Sequence, residues 1–378
     1  MDANVDQIGG QPVEPLLSVV DLTRHFRLGG LFSKSILHAV DDVNFSINER
    51  EIVALVGESG SGKTTMARLL AMIYPPTRGD VRYRGRSIRS LRRRRDALWY
   101  RGEVPMVFQD PYSSLHPVFR VSHAVMRQLR LHRPELDGEA RQREAERVFE
   151  TVGLNPASDM LKKYPHEMSG GQRQRVGFAA ALAVRPTLIL ADEPVSMLDV
   201  SIRIGLLNMM AGLRDQENLS ILYITHDLAS ARYIADRILV MYAGHLVESG
   251  PAETVLSRAK HPYTQLLLSA VPELRNKVPD SDSDSDTDAD TDSDTGEPPK
   301  VINPTEGCRF RWRCPYAIDQ CSQVTPRLRS MGAGHEAACH VAVPDAEASQ
   351  GSPASVPRGD GTAVASPDSA VSPTRPTP

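Results

Sequence analysis

The run Ile52-Val53-Ala54-Leu55-Val56 passes without interruption into Gly57-Glu58-Ser59-Gly60-Ser61-Gly62-Lys63-Thr64-Thr65. A short, continuous, largely β-branched run of this kind predicts a strand buried on both faces, as in a parallel sheet covered by helices. Directly after it stands a complete G-x-x-x-x-G-K-[ST] pattern. Its glycines let the loop wrap so that backbone N–H groups, and the N-terminus of a helix predicted over Met66 to Ile73, point at phosphate. Lys63 then reaches the β/γ-phosphates and Thr64 offers a hydroxyl to Mg²⁺. A chance Gly-rich turn would lack both the strand before it and the helical pattern after it. The unit commits the chain to an α/β fold.

Three further apolar runs read as strands of the same sheet: Val104 to Phe108, Leu188 to Ala191 and Ile221 to Thr225. Gly138 to Leu154 instead spaces Ala145, Val148, Phe149 and Val152 by three and four residues, which predicts an amphipathic helix. The Leu188 run ends in Asp192-Glu193. An aspartate at that end of a buried strand can hold the metal through its water shell, and the adjacent glutamate can orient or deprotonate an attacking water. A carboxylate pair is commonly just a solvated strand end; here buried apolar residues precede it and the phosphate loop lies upstream. These elements define a phosphate-loop NTPase and nothing narrower.

Met168-Ser169-Gly170-Gly171-Gln172-Arg173-Gln174-Arg175 narrows it. Serine and two glycines before a helix, read from Val176 onward by its alanines, make a second anion-seeking helix N-terminus. Ser-Gly-Gly-Gln between the phosphate loop and the Asp-Glu strand resembles the signature of the ATP-binding cassette family. The order of the other elements agrees: Gln109 after Val107-Phe108 resembles that family's Q-loop, Ser196-Met197-Leu198-Asp199 its D-loop, and His226 its switch histidine. The resemblance implies a P-loop NTPase core with a helical signature subdomain and an antiparallel β subdomain. It also implies two cassettes paired head to tail, with ATP between one subunit's phosphate loop and the other's signature. Carried over residue by residue, it makes Gly57, Glu58, Ser59, Gly60, Ser61, Gly62, Lys63, Thr64 and Thr65 nucleotide-binding, together with Ser169, Gly170, Gly171, Gln172 and Asp199. Ser169 and Gly171 would meet the γ-phosphate held by a partner chain. Glu193 would be the general base, His226 and Lys63 its catalytic companions, and Thr64, Gln109 and Asp192 the Mg²⁺ ligands. Phe26 is the candidate for stacking on adenine; a core Phe is the equal alternative, because Gly29 to Ser35 interrupts the alignment.

Phe108 to Pro117, Asp192 to Ser201 and His261 to Leu267 resemble, more narrowly, the ATPase subunits of oligopeptide/dipeptide importers, with His116 and Met197 replacing the family's usual Asn and Ala. That similarity, over about Leu16 to Val343, implies an ATPase with ATP and Mg²⁺ as cofactors that energises peptide import. Its partners would be a second ATPase subunit, two transmembrane permease subunits and, indirectly, an extracellular solute-binding protein. Nickel or another solute, or a soluble cassette ATPase in nucleic-acid repair or translation, are the alternatives; the last usually carries two cassettes or a coiled-coil insertion. No stretch approaches the roughly 18 to 20 apolar residues of a membrane span, and residues 1–15 lack the pattern of a secretion signal. The expected location is the cytoplasmic side of the cell membrane, as a peripheral subunit.

The net charge of −3 hides a division. Eight aspartates alternate with Ser, Thr or Ala from Asp280 to Asp294, and without them the chain stands at +5. This strip cannot bury enough apolar surface to order itself and reads as a solvated spacer. The predicted organisation is therefore a disordered 1–15, a nucleotide-binding domain over 16–275, an acidic linker over 276–300, a Cys-rich module over 301–343 and a disordered tail over 344–378. Arg86, Arg89 and Arg92 to Arg95 lack interleaved aromatics, so they read as a solvated face rather than a nucleic-acid surface. All the cysteines, Cys308, Cys314, Cys321 and Cys339, lie in the module. In a reducing compartment their spacing suits reduced structural thiols, zinc or a [4Fe–4S] cluster. The resembling importer ATPases carry a similar quartet, which holds [4Fe–4S] in some members.

Overall fold

A computed structural model describes residues 14–29, 34–110, 115–271 and 301–342. The proposed linker 276–300 and tail 344–378, nearly all of 1–15, and Pro111 to Ser114 lie outside these residues.

One antiparallel sheet is ordered β2-β1-β4-β5, from β1 (Leu17–Arg27), β2 (Ile36–Ile47), β4 (Arg78–Tyr83) and β5 (Arg86–Ser87). The second sheet is ordered β11-β12-β10-β9-β3-β8-β7-β6. Its parallel part is β9 (Arg237–Tyr242), β3 (Ile52–Val56), β8 (Ser220–Thr225), β7 (Leu188–Asp192) and β6 (Met106–Val107). β10 (His245–Pro251), β12 (His335–Ala337) and β11 (Arg329–Gly332) continue it antiparallel.

The strand alternation explains why these runs carry no polar face. Val53, Leu55, Leu190, Leu222, Ile224 and Leu239 pack toward Leu17, Val19, Val43 and Met66, so this side is sealed by the antiparallel sheet and the helix Lys63–Leu70. Ile52, Ala54, Val56, Ile189, Ala191, Ile221 and Tyr223 face the opposite way, into a second core. That core also takes Val125 and Leu129 of the helix Ser122–His132, Val148 and Phe149 of Gly138–Thr151, and Val176 and Phe178 of Gly170–Leu182. The predicted amphipathic helix is Gly138–Thr151, started by Asp137, whose carboxylate accepts from the Ala140 N–H at 2.7 Å.

Three boundaries differ from the sequence reading. The helix after the phosphate loop begins at Lys63, and the signature helix at Gly170 rather than Val176. The predicted strand Val104 to Phe108 contracts to Met106–Val107; Pro105 has no N–H to give the ladder, although its carbonyl accepts from Leu190 at 3.0 Å. The Cys-rich segment, read as a module over 301–343, contributes β11 and β12 to the edge of the main sheet through Glu248↔Ala337 and Ser249↔Glu336. It also touches the antiparallel sheet, where His38 N–H donates to the Val301 carbonyl at 2.9 Å.

Among the described residues no helix is long and apolar enough to cross a membrane. Arg86, Arg89 and Arg92 to Arg95 are exposed, as a solvated face requires.

Candidate active site

Sheet order decides the site. β3, β8 and β7 are neighbours and parallel, so the phosphate loop, His226 and the Asp192-Glu193 pair emerge side by side at their C-terminal ends. The loop closes onto the helix Lys63–Leu70 through Gly62, at φ 107°; a Cβ there would sit 2.2 Å from the Ala39 carbonyl oxygen, so only glycine fits. Lys63 is buried and its Nζ donates to the carbonyls of Gly57 and Glu58, both at 2.8 Å. Burial pushes its pKa down, while Glu193, Asp192 and Glu58 pull it back up. Ser61 Oγ is buried without a hydrogen-bond partner in the middle of the loop. A loop with a buried ammonium and an unsatisfied hydroxyl fits a bound phosphate.

Thr64 Oγ1 donates to Asp192 Oδ1 at 3.1 Å, which brings two of the expected Mg²⁺ ligands together. Burial raises the pKa of Asp192, the neighbouring Glu193 charge adds to that, and the Thr64 hydrogen bond opposes it. A divalent cation would favour its ionised form.

Glu193 takes φ 44°, an uncommon value for a residue with a side chain, while its N–H donates to the Ile224 carbonyl at 2.9 Å. Its Oε2 accepts from Gln109 Nε2 at 3.0 Å and lies 3.4 Å from His226 Nδ1. Gln109, Glu193 and His226, spread over the sequence, thus meet at one carboxylate. A carboxylate so held can take a proton from a water placed between it and a phosphate. Gln174 of the signature helix donates to the Phe108 carbonyl at 3.3 Å, joining that helix to the Gln109 segment.

The remaining site residues form a second group. Ser169 caps the helix Gly170–Leu182: its Oγ accepts from the Gln172 N–H at 3.2 Å, and Gln172 Oε1 accepts from the Ser169 N–H at 3.0 Å. Asp199 stands at the N-terminus of the helix Val200–Glu217. Ser169 and Asp199 are both exposed. Among the described residues no hydrogen bond or ion pair joins Ser169, Gly170, Gly171, Gln172 or Asp199 to the phosphate loop. Phe26 lies edge-on to Tyr74 at 5.4 Å, with the Arg24 guanidinium 4.5 Å over its ring.

The cysteines also converge. Cys321 is buried and the others are half-buried, and the Cys308 N–H donates to the Cys321 carbonyl at 2.7 Å. Burial pushes the Cys308 thiol up to about 11, with Cys321, Cys339 and Cys314 close enough to add to the effect.

Two contacts to the loop were not legible as such. The Glu58 N–H donates to Tyr263 Oη at 2.8 Å, and the Glu58 carboxylate takes both Nη atoms of Arg313, at 2.9 and 3.1 Å. The available signals were Tyr263 within His261 to Leu267, and arginines alternating with aromatics between Cys308 and Cys314.

Comparison with known proteins identifies the family and the fold. The family described as ABC transporter matches residues 40–196, and the oligopeptide/dipeptide transporter, C-terminal region matches residues 247–321. The Bacillus subtilis protein YkfD is 40% identical over 327 residues, covering 86% of this chain and 95% of that one. The oligopeptide transport ATP-binding protein AppF, also of Bacillus subtilis, is 38% identical over 331 residues, 87% of this chain and 98% of its own length. Among solved structures, the dimeric ATP-binding cassette MJ0796 bound to ADP and Pi superposes with a TM-score of 0.56 at 27% identity, over 62% of this chain and 98% of that one. CbiO1 of Clostridium perfringens, at 22% identity and a TM-score of 0.57, covers 65% of this chain and 92% of its own, and shares the fold.

Proposed function

The chain belongs to the ABC transporter family, and from that premise we propose that it is the ATP-binding and ATP-hydrolysing subunit of an oligopeptide or dipeptide importer. The observation that carries the catalytic part is the meeting of Gln109, Glu193 and His226 at one carboxylate beside the Thr64–Asp192 pair. Mg²⁺ would be held by Thr64, Asp192 and Gln109, and would supply charge neutralisation at the phosphates. The chain's own groups do the rest: Lys63 and the loop N–H groups bind phosphate, Glu193 accepts the water's proton, and His226 orients that carboxylate and contacts the γ-phosphate.

Ser169 and Asp199, both exposed and, like Gly171, without a hydrogen bond to their own loop among the described residues, support a second cassette as the partner that completes each site. The support for membrane subunits is a groove of about 1040 Å³ lined by Ile73, Phe108, Leu115, Phe119 and Leu131. Phe108, Phe119 and Leu131 are left 44, 46 and 46% exposed, next in sequence to or beyond Gln109. An apolar segment of a permease seated there would press on the Gln109 segment and so on Glu193, and the chain would then sit peripherally on the cytoplasmic side of the membrane. In cells lacking this chain, uptake of labelled di- and oligopeptides should stop, returning with the wild-type chain but not with Lys63→Ala. Undiminished uptake would defeat the peptide assignment.

The cysteine quartet is the finer part of the proposal. Among the described residues only His25, His38 and Asp41 bring three potential ligand atoms within 4.8 Å of one another. No three of the four thiols lie that close together, and what supports a [4Fe–4S] cluster over zinc is the resemblance to importer ATPases with a similar quartet. Bound there, such a cluster would cross-link the chain at Cys308, Cys314, Cys321 and Cys339. Anaerobically purified protein should show broad absorbance near about 400 nm, abolished by Cys314→Ser; a colourless, iron-free preparation with stoichiometric zinc would refute the cluster.

A further inference from the structure

The segment Cys308-Arg309-Phe310-Arg311-Trp312-Arg313-Cys314 lies against the phosphate loop, more than two hundred residues from it in sequence. Phe310 anchors it. That ring is buried among Tyr242, Tyr263 and His261, with centroids 5.3, 5.5 and 5.7 Å away, and Tyr263 is the residue that receives the Glu58 N–H. An arginine stands on either side of the anchor, and one of them contacts the phosphate loop itself. Arg313 forks onto both oxygens of Glu58, the second residue of the loop, with only 22 and 24% of the two side chains exposed. Arg309 donates to Asp41 Oδ2 at 2.6 Å and to the Ala243 carbonyl at 2.5 Å. The next residue, Gly244, passes that restraint on: its N–H donates to the Ser61 carbonyl at 2.9 Å, and its carbonyl accepts from Asp41 N–H at 2.9 Å.

We propose that Arg313 is a positioning residue of the nucleotide site, with Arg309 as its second attachment, so that the Cys308–Cys314 segment braces the phosphate loop from outside. The inference rests on the ATP-binding reading above. Its chemistry is charge and geometry together. A carboxylate on the loop repels a polyphosphate; the bidentate guanidinium neutralises it and fixes the loop's first turn. The Glu58 charge reaches the centre of the site, since it is one of the charges acting on Lys63. Lysine could supply the charge but not the fork. Because each end stabilises the other, nucleotide affinity and the order of the Cys-bearing segment are one coupled quantity, and the coupling is reciprocal.

The test is the dissociation constant of a fluorescent ATP analogue for the full chain, with kcat and KM measured alongside. Arg313→Ala should weaken binding about three- to ten-fold, the effect of one unneutralised charge a few ångströms from polyphosphate, and raise KM with little change in kcat. Arg313→Lys should fall between the two. In a Glu58→Gln background, which sets its own baseline, Arg313→Ala should add less than about two-fold, because the charge it neutralises is gone. In the wild-type chain, saturating ADP should slow amide hydrogen exchange over 308–324, and Arg313→Ala should remove that protection. Unchanged affinity in Arg313→Ala, or the same loss with and without the Glu58 carboxylate, overturns the brace. A wild-type chain that binds no ATP overturns the ATP-binding reading and the brace with it, so the two failures are distinct.

Discussion

The Glu193→Gln chain should bind Mg·ATP as tightly as wild type and hydrolyse it on the order of 10²- to 10⁴-fold more slowly, the range of a lost general base. The substitution is close to isosteric, and that separates chemistry from architecture. Glu193 is held by its backbone, at φ 44° with its N–H on the Ile224 carbonyl, and glutamine can keep both. The Thr64–Asp192 pair and the Lys63 contacts do not involve its side chain, so nucleotide and metal affinity should survive. The loss is confined to the carboxylate basicity at the point where Gln109 and His226 converge. An amide offers no carboxylate to take the proton from water, and its nitrogen turned toward Gln109 Nε2 would oppose two donors across 3.0 Å. With hydrolysis blocked and binding intact, ATP should accumulate in the closed pair and shift the chain to a dimer on size exclusion. Undiminished turnover in Glu193→Gln would remove the base from this residue and pass the role to another group.

The parts of this site that could be read from sequence are those where local chemistry fixes local structure. The phosphate loop is legible because a buried strand, Gly62 at a left-handed angle and a helix start are contiguous. The strands β7 and β8 are legible because both faces are buried, so their composition is uninterrupted by polar residues. The signature helix begins earlier than its alanines suggest, since glycine has poor helix propensity; the Ser169–Gln172 capping box supplies the start that propensity does not. The convergence of Gln109, Glu193 and His226 needs the order β3-β8-β7, which no local pattern contains; the family resemblance supplies it. The Cys-bearing segment is the least legible. That β12 would join β10, or that Arg313 would reach Glu58, depends on long-range pairing, and the cysteine spacing that draws attention to the segment says nothing of either.

Gly171 carries the second large effect, through a partner rather than through its own loop. It is buried against the helix Val200–Glu217, and a Cβ at Gly171 would lie 2.3 Å from Ile202 Cγ2. Gly171→Asp therefore both displaces the first turn of the signature helix and sets a carboxylate at its electropositive N-terminus. Among the described residues the phosphate loop of the same chain makes no hydrogen bond or ion pair to this turn, so ATP should bind to the isolated variant within about two-fold of wild type while turnover falls by at least about 100-fold. Lys63→Ala should give the opposite defect, failing to hold nucleotide while keeping its signature turn intact. Mixed together, the two inactive chains can build one complete site per mixed dimer: the loop of Gly171→Asp faces the signature of Lys63→Ala. For a chain that pairs with itself head to tail, random mixing should recover up to about a quarter of the wild-type sites. The converse control is a chain carrying both substitutions, which should rescue neither variant when mixed with it. If the cross-mixture stays as inactive as its parts while each variant still dimerises, the completed site does not combine two copies of this chain, and the signature that meets its ATP belongs to a different cassette.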